Sequence, residues 1–302
     1  MNSDDLPAGL SPASLRCVNE ILDVVVPYPE FADSLQGALS AVQWMREVRM
    51  PDGVLLLADP GMGKTLLLTL LKRTLTGDAN PLKSSRPVLD ISLDSAADVY
   101  QVAMKLMLAL GYPALPTRPT LPSMTAMIDT AIERMRPVAI LIDEGQHVCE
   151  GNRQNTARTL TDWLKVRVDK HNLPVIIVGT RTLEAIAEIN SQFVSRVSKR
   201  YYLNAFAFGD VWRQVLGSIA DSVTSLDLSS LSAQGLSRLA HEATHGNLRR
   251  LKKLLIFSCV RAIDSASPAL KLEHMANGYA DAFGGSSGAA NPFLAVMEKG
   301  KR

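Results

Sequence analysis

The sequence predicts an α/β fold in which a doubly wound parallel sheet is followed by a small helical domain. Between residues 53 and 206, short apolar runs alternate with segments of helical periodicity. Strands joined by crossover helices form parallel sheets that are covered on both faces. A glycine-rich segment follows the first apolar run, and only helical patterns occur after residue 206.

Each predicted strand is a short apolar run, and the runs are GVLLLAD, RPVLDISL, VAILIDE, PVIIVGT and RYYLNAF. Helical patterns follow the first four runs, namely KTLLLTLLKRTL, AADVYQVAMKLMLAL, TARTLTDWLKVRVDK and TLEAIAEI. The predicted domains are a leader at 1–30, an α/β domain at 31–206, a helical domain at 207–283 and a tail at 284–302. The leader is expected to pack onto the α/β domain. The tail opens with GGSSG, which predicts flexibility.

Composition excludes several classes of protein. The 32 basic and 30 acidic residues give a net charge of +2, so any nucleic-acid surface must be local. The three cysteines are widely spaced and odd in number, which argues against a disulfide framework. The first residues lack the pattern of a secretion signal, and no apolar stretch is long enough to span a membrane. We expect a cytoplasmic protein.

The segment ADPGMGKT at 58–65 has the spacing of a phosphate-binding loop, although Ala58 stands where the motif has its first glycine. Alanine costs little there if its φ is negative. Backbone N–H groups and the start of the next helix would hold phosphates, Lys64 would contact the terminal phosphates, and Thr65 would bind Mg²⁺. The predicted nucleotide-binding residues are Asp59, Pro60, Gly61, Met62, Gly63, Lys64, Thr65 and Leu66.

Polar residues follow two later strands. Asp143 and Glu144 end VAILIDE, where Asp143 would hold the Mg²⁺ shell and Glu144 would polarise an attacking water. Thr180 ends PVIIVGT and could orient that water or sense the γ-phosphate. His147 and Cys149 follow the acids, but two ligands without a second pair do not predict a metal site.

Two basic segments lie further along the chain. SRVSKR contains Arg196, Lys199 and Arg200, and GNLRRLKK contains Arg249, Arg250, Lys252 and Lys253. Such clusters are commonly solvated helix faces, so their position relative to other motifs decides their meaning.

The order ADPGMGKT, ILIDE, IIVGT, SRVSKR and HGNLRR, followed by helices, resembles the AAA+ ATPases. The longer phrases RMPDGVLLLADPGMGKT, LIDEGQHV and LPVIIVGTRTLEAI resemble the TniB and TnsC transposition regulators, which are related more distantly to IstB and MuB. The resemblance covers residues 25 to 265 and makes the helical domain a lid. Met62 and Ala58 depart from the usual AAA+ loop.

The resemblance implies roles for individual residues. ATP with Mg²⁺ would be bound by the loop and hydrolysed with Asp143 and Glu144, and Thr180 would be the first sensor. Arg196 would be an arginine finger that completes a neighbouring subunit's site, with Arg200 as the other register of SRVSKR. Arg249 would be the second sensor. A finger supplied by a neighbour makes a heterologous interface, which generates a ring or a helical filament.

The resemblance also implies partners. ATP-bound subunits would assemble on double-stranded DNA through phosphate contacts with little sequence preference, and would recruit or activate a transposase, with a target-selector protein as a further partner. The candidate DNA contacts are Lys105, Thr117, Arg118 and Thr120. The apolar cluster in NPFLAVMEKGKR could dock a partner or remain disordered.

Other functions fit parts of the same pattern. A helicase loader or replication initiator would share the ATP site, but an initiator commonly adds a DNA-reading domain, for which a tail of about 20 residues leaves no room. A small-molecule kinase needs an acceptor site more than it needs Glu144. A nucleotide-binding adaptor without turnover stays open, because intact acids do not reveal a rate.

Overall fold

A computed structural model of the chain describes residues 9–48, 53–77, 86–95, 97–113, 119–149, 154–284 and 291–299. The chain divides into two compact units. One is the α/β unit, Pro29–Asn204, and the other is the helical unit, which comprises the described residues of Met1–Tyr28 and Ala205–Arg302.

The α/β unit contains a five-stranded parallel sheet. Its strands are β1 (Gly53–Ala58), β2 (Leu89–Ser92), β3 (Ile140–Asp143), β4 (Val175–Gly179) and β5 (Lys199–Leu203). The spatial order is β2-β3-β4-β1-β5, so the first strand along the chain lies inside the sheet. The five predicted strand segments therefore all form strands, and the predicted parallel α/β class is confirmed.

Burial along the strands follows their places in the sheet. Every residue of β1 and β4 is buried, as expected for strands that helices cover on both faces. The edge strand β2 instead alternates buried and exposed residues, and β5, at the other edge, is mostly half-buried. Leu55, Leu57 and Ile177 belong to the core that the sheet shares with its helices.

The helices of the α/β unit connect and cover these strands. They are α2 (Pro29–Val48), α3 (Lys64–Thr76), α4 (Val99–Ala109), α5 (Leu121–Met135), α6 (Gln154–His171), α7 (Ile186–Ile189) and α8 (Ser191–Val194). They follow α1 (Pro12–Asp23), which belongs to the other unit. Short 3₁₀ turns at Gly145–Val148 and Arg181–Ala185 follow β3 and β4.

The helical unit combines α1 with helices from the second part of the chain. These are α9 (Asp210–Ser222), α10 (Gln234–Thr244), α11 (Leu248–Asp264), α12 (Leu272–Phe283) and α13 (Pro292–Lys299). The predicted leader thus contributes a helix to this unit. Glu20 of α1 accepts hydrogen bonds from the backbone and hydroxyl groups of Thr224 and Ser225. Lys252 of α11 donates to the carbonyls of Leu22 and Val24 at the end of α1.

The expected flexible tail differs from the structure over residues 292–299, which form α13. Phe293 is fully buried, and its ring centroid lies 6.3 Å from that of Tyr279. Asn291 donates a 2.8 Å hydrogen bond to the carbonyl of Ala276 and accepts one from the Phe293 amide. One buried aromatic ring and one amide therefore attach this helix to α12. In the described part of the chain, every helix is too short or too polar to span a lipid bilayer.

Candidate nucleotide-binding site

The glycine-rich loop connects β1 to α3 in a conformation that needs two glycines. Gly61 and Gly63 have φ values of +84° and +91°, which side-chain-bearing residues adopt at a cost. Met62 between them is fully buried and anchors the loop, and its amide donates to the Asp59 carbonyl at 3.2 Å. Ala58 is the last residue of β1 and is buried, so glycine is not needed at the first position of the motif.

Lys64 begins α3 and contacts both acids that follow β3. Its Nζ lies 2.5 Å from Glu144 Oε1 and 3.3 Å from Asp143 Oδ1. The Glu144 amide also donates to Asp143 Oδ1 at 2.7 Å. The loop and the acids therefore form one cluster at the carboxyl edge of the sheet, where ligands bind in folds of this class.

The environment of Glu144 favours its ionised form. The hydrogen bond from Lys64 lowers the pKa of Glu144, partial burial opposes this shift, and a hydrogen bond from Gln146 adds to the lowering. Glu144 also has a φ of +54°, a left-handed conformation that is uncommon for residues other than glycine. The carboxylate is thus charged and held in a fixed direction beside Lys64.

The end of β4 joins this cluster through Gln146, which sequence analysis missed. The Thr180 amide donates to Gln146 Oε1 at 3.1 Å, and Gln146 Nε2 donates to Glu144 Oε2. The Thr180 hydroxyl lies 2.7 Å from that of Thr182. In the sequence, Gln146 is marked only as a polar residue two positions after Glu144, and polar residues at such positions are too common to indicate a role.

Arg181 also contacts the phosphate-binding loop and was not predicted. Its Nε lies 3.5 Å from Asp59 Oδ1, and its NH2 donates to Asn204 Oδ1 at 2.6 Å. The guanidinium also lies over the ring of Tyr202, 5.7 Å from the ring centroid. Arg181 thereby connects the residues that follow β1, β4 and β5.

Arg196 lies at the amino-terminal ends of the strands, opposite the end that carries the loop and the acids. A Cβ added to Gly53, the first residue of β1, would lie 3.3 Å from the Arg196 carbonyl, whereas the loop follows Ala58 at the other end of that strand. Six residues of strand span about 20 Å. Arg196 Nε donates to Asp169 Oδ1 at 2.9 Å, and Arg200 is exposed on β5.

The sequence matches the family model described as Bacterial TniB protein over residues 21–205. The match covers more than half of the 302 residues. The chain belongs to the TniB family. Among curated proteins, no sequence matches the chain.

Solved structures similar to this TniB family member are AAA+ proteins. The Aeropyrum pernix ORC2 protein in ADPNP-ADP complexes aligns with a TM-score of 0.64 and 16% identity over 95% of this chain and 75% of its own. The Aeropyrum pernix ORC1 protein in complex with DNA aligns with a TM-score of 0.61 and 18% identity, and the alignment covers 87% of this chain and 69% of its own. Cdc6p from Pyrobaculum aerophilum aligns with a TM-score of 0.60 and 13% identity over 89% of this chain and 72% of its own. The fold is therefore that of AAA+ ATPases, as predicted.

The helical unit of this TniB family member holds the predicted second sensor. Arg249 is exposed on the first turn of α11, which Asn247 caps by accepting from the Arg250 amide at 3.1 Å. The neighbouring basic residues serve the unit itself: Arg250 and Lys253 lie over the ring of Phe283, and Lys252 binds the end of α1. Most of the basic cluster is therefore structural.

The candidate DNA-binding residues lie apart from the nucleotide cluster in sequence. Lys105 of α4 donates to the Ser92 carbonyl at 2.6 Å and pairs with Asp94 at 2.8 Å. Thr120 caps α5 by accepting from the Ser123 amide. Thr117 and Arg118 lie outside the described residues. A DNA contact by any of these residues stays a prediction.

Proposed function

We propose that this TniB family member is an ATP-hydrolysing regulator of DNA transposition that assembles on double-stranded DNA and recruits or activates a transposase. The observation that carries the proposal is the cluster of Lys64, Asp143 and Glu144, with Lys64 Nζ 2.5 Å from Glu144 Oε1. A lysine at the start of a helix after a glycine-rich loop, beside two acids at a strand end, is the arrangement that P-loop ATPases use. Family membership supplies the biological context.

The residues present fit a nucleotide-bound Mg²⁺. Thr65 and Asp143 offer a hydroxyl and a carboxylate, which are oxygen ligands of the kind Mg²⁺ prefers, and the contact between Lys64 and Asp143 places the start of α3 beside the end of β3. When bound, Mg²⁺ would neutralise phosphate charge. Lys64 would bind the terminal phosphates, and the backbone amides of Gly61 and Gly63 would line the phosphate cradle.

Glu144 would act as the base. Its pKa lies below the ordinary value for glutamate, so the carboxylate is ionised at neutral pH and can accept a proton from a water that attacks the terminal phosphate. The Thr180 side chain, at the end of β4, would orient that water or sense the γ-phosphate. This chemistry suits hydrolysis better than phosphate transfer to a bound alcohol.

Arg196 would act on a neighbouring subunit. It lies beside the first residue of β1, so the length of this strand separates it from the loop of its own chain. A neighbour's loop could receive it across a heterologous interface, and repetition of that interface produces a filament or a ring. The positive charge of Arg196 would then stabilise the transition state, and hydrolysis would drive disassembly.

DNA binding is supported by family membership and by one structural neighbour that was solved in complex with DNA, the Aeropyrum pernix ORC1 protein. The proposed contacts are to phosphates, which give affinity without sequence preference and weaken as salt rises. A replication initiator or helicase loader is the second candidate, because the fold is similar to that of origin recognition proteins. At 13–18% identity, that similarity is one of fold alone.

Electron microscopy with linear duplex DNA tests the proposal. We expect the protein to coat DNA of arbitrary sequence as filaments or rings with ATP or a non-hydrolysable analogue, and not without nucleotide. The Lys64→Ala variant is the control, since it should bind DNA no better with ATP than without. A protein that ignores DNA under every condition would rule out the regulator and leave a kinase or an adaptor. Binding confined to one DNA sequence would favour an initiator.

A further inference from the structure

Gln146 is a buried polar residue beside the acids. It lies on the 3₁₀ turn Gly145–Val148 and is 7% exposed. Both ends of its amide are used: Nε2 donates to Glu144 Oε2, and Oε1 accepts from the Thr180 backbone amide at 3.1 Å. The two oxygens of Glu144 therefore have different partners, because Oε1 accepts from Lys64.

Two glycines make room for this bridge. A Cβ added to Gly179 would lie 2.7 Å from Gln146 Oε1 and 3.0 Å from the backbone nitrogen of Gln146. A Cβ added to Gly145 would collide with Ile177 Cγ2 and would lie 3.2 Å from the Val178 carbonyl. A side chain at position 145 would collide with β4, and one at position 179 would displace the side-chain amide of Gln146, so both glycines favour this packing. This close approach is what brings the glutamine amide within reach of Thr180.

We infer that Gln146 is a positioning residue for ATP hydrolysis, which fixes the direction of the Glu144 carboxylate and connects it to the backbone of Thr180. The inference rests on the proposed function. Lys64 would be drawn to phosphates when nucleotide binds, whereas the neutral amide of Gln146 has no such attraction. Gln146 would then keep the Glu144 carboxylate directed at the attacking water. Because Gln146 also bonds the Thr180 amide, a movement of the backbone at the end of β4 would change the position of Glu144.

The test replaces Gln146 with methionine, which has a similar length and makes neither hydrogen bond. We expect Gln146→Met to lower kcat for ATP hydrolysis by about 10- to 100-fold, since a misdirected catalytic group costs that much. KM and the affinity for a fluorescent ATP analogue should stay within about threefold, because Gln146 has no proposed contact with the nucleotide. Gln146→Glu keeps the acceptor for Thr180 but loses the donor, and we expect a similar loss of kcat.

The matched control is Gln43→Met on α2. Gln43 also donates to a glutamate, Glu47, at 2.9 Å, but this pair is exposed, so kcat should not change. Either of two results would overturn the inference: a kcat within twofold of wild type in both Gln146 variants, or equal losses of kcat, nucleotide affinity and melting temperature, as a purely structural residue would give. If the wild-type protein lacks Lys64-dependent hydrolysis, the proposed function fails and this inference fails with it.

Discussion

Lys64 contacts Glu144 and, in the proposed function, also binds the phosphates of the nucleotide. Its ammonium group lies 2.5 Å from Glu144 Oε1 and is the main reason why the pKa of Glu144 is lowered. In the proposed function the two residues have separate tasks, because the lysine would bind phosphates and the carboxylate would accept a proton. Their substitutions should therefore have different effects.

We expect Lys64→Ala to abolish ATP binding and hydrolysis. Glu144→Gln should preserve binding, because the isosteric amide can still occupy its place, and should stabilise the assembled state on DNA because hydrolysis no longer disassembles it. Nucleotide titrations, phosphate release and sedimentation with DNA measure these effects. A rate of phosphate release equal to that of wild type in either variant would contradict the role assigned to that residue.

At the residue scale, sequence predicted the members of motifs and missed the residues that act through contacts. Lys64, Asp143 and Glu144 follow strands at fixed spacing, so their meeting at one edge follows from a parallel sheet. Gln146 and Arg181 acquire partners only when separate strands come together, and no local pattern marks them. Ala58 departs from the motif, but it is the last residue of an ordinary strand, so the departure does not change the local structure.

At the element scale, apolar runs predicted strands because a central parallel strand is buried on both faces. The two ends of the chain were harder. The buried ring of Phe293 and the side-chain amide of Asn291 attach α13 to its unit, although the preceding sequence is rich in glycine and serine. The basic residues of α11 were equally ambiguous, because their aromatic and carbonyl partners are distant in sequence.

Helices α5 and α6 are joined by an ionic cluster around Asp129, which is 15% exposed. Its carboxylate meets Lys170 at 2.9 Å, His171 at 3.0 Å and Arg167 at 3.5 Å. Burial alone would raise the pKa of Asp129, but the hydrogen bonds from Lys170 and His171 and the charge of Arg167 outweigh it, so the pKa is lowered. A lowered pKa stabilises the fold above the ordinary aspartate value, and this contribution is lost as pH falls through the folded-state pKa.

Asp129→Asn should therefore lower the free energy of unfolding by about 3 kcal/mol at neutral pH, since the buried Arg167 loses its counter-charge. Denaturant unfolding measures this difference, which should shrink as the pH drops below about 4. Asp90→Asn is the matched control, because its exposed pair with Lys72 should contribute less than about 1 kcal/mol. A difference that is absent at neutral pH, or constant with pH, would count against this account.

At the scale of the whole molecule, the length of β1 separates the phosphate-binding loop from Arg196, the proposed finger. β1 lies between β4 and β5, with the phosphate-binding loop after its last residue and Arg196 beside its first. The sequence predicted that the glycine-rich loop follows β1 and that SRVSKR leads into β5, but the distance between the loop and Arg196 follows only from the parallel register of β1 and β5. One chain therefore carries the candidate nucleotide-binding cluster at the carboxyl ends of the strands and the candidate arginine finger at their amino-terminal ends.

Mixing two inactive variants tests whether Arg196 completes a neighbour's site. Arg196→Ala keeps the acids but lacks the finger, and Glu144→Gln keeps the finger but lacks the base. Each should have little ATPase activity alone on DNA. A 1:1 mixture should recover activity, because about a quarter of randomly formed head-to-tail interfaces would pair an intact cluster with an intact arginine.

The Arg196→Ala subunit should still fold, since the ion pair it removes is more than one-third exposed on both sides and such pairs contribute under about 1 kcal/mol. Arg200→Ala is the matched variant for the second register of SRVSKR. If Arg200→Ala is inactive alone and complemented by Glu144→Gln while Arg196→Ala is fully active, the finger is Arg200. If the ATPase activity of neither mixture exceeds the sum of its components, the site is not shared between subunits. Catalysis then gives no support to a heterologous interface.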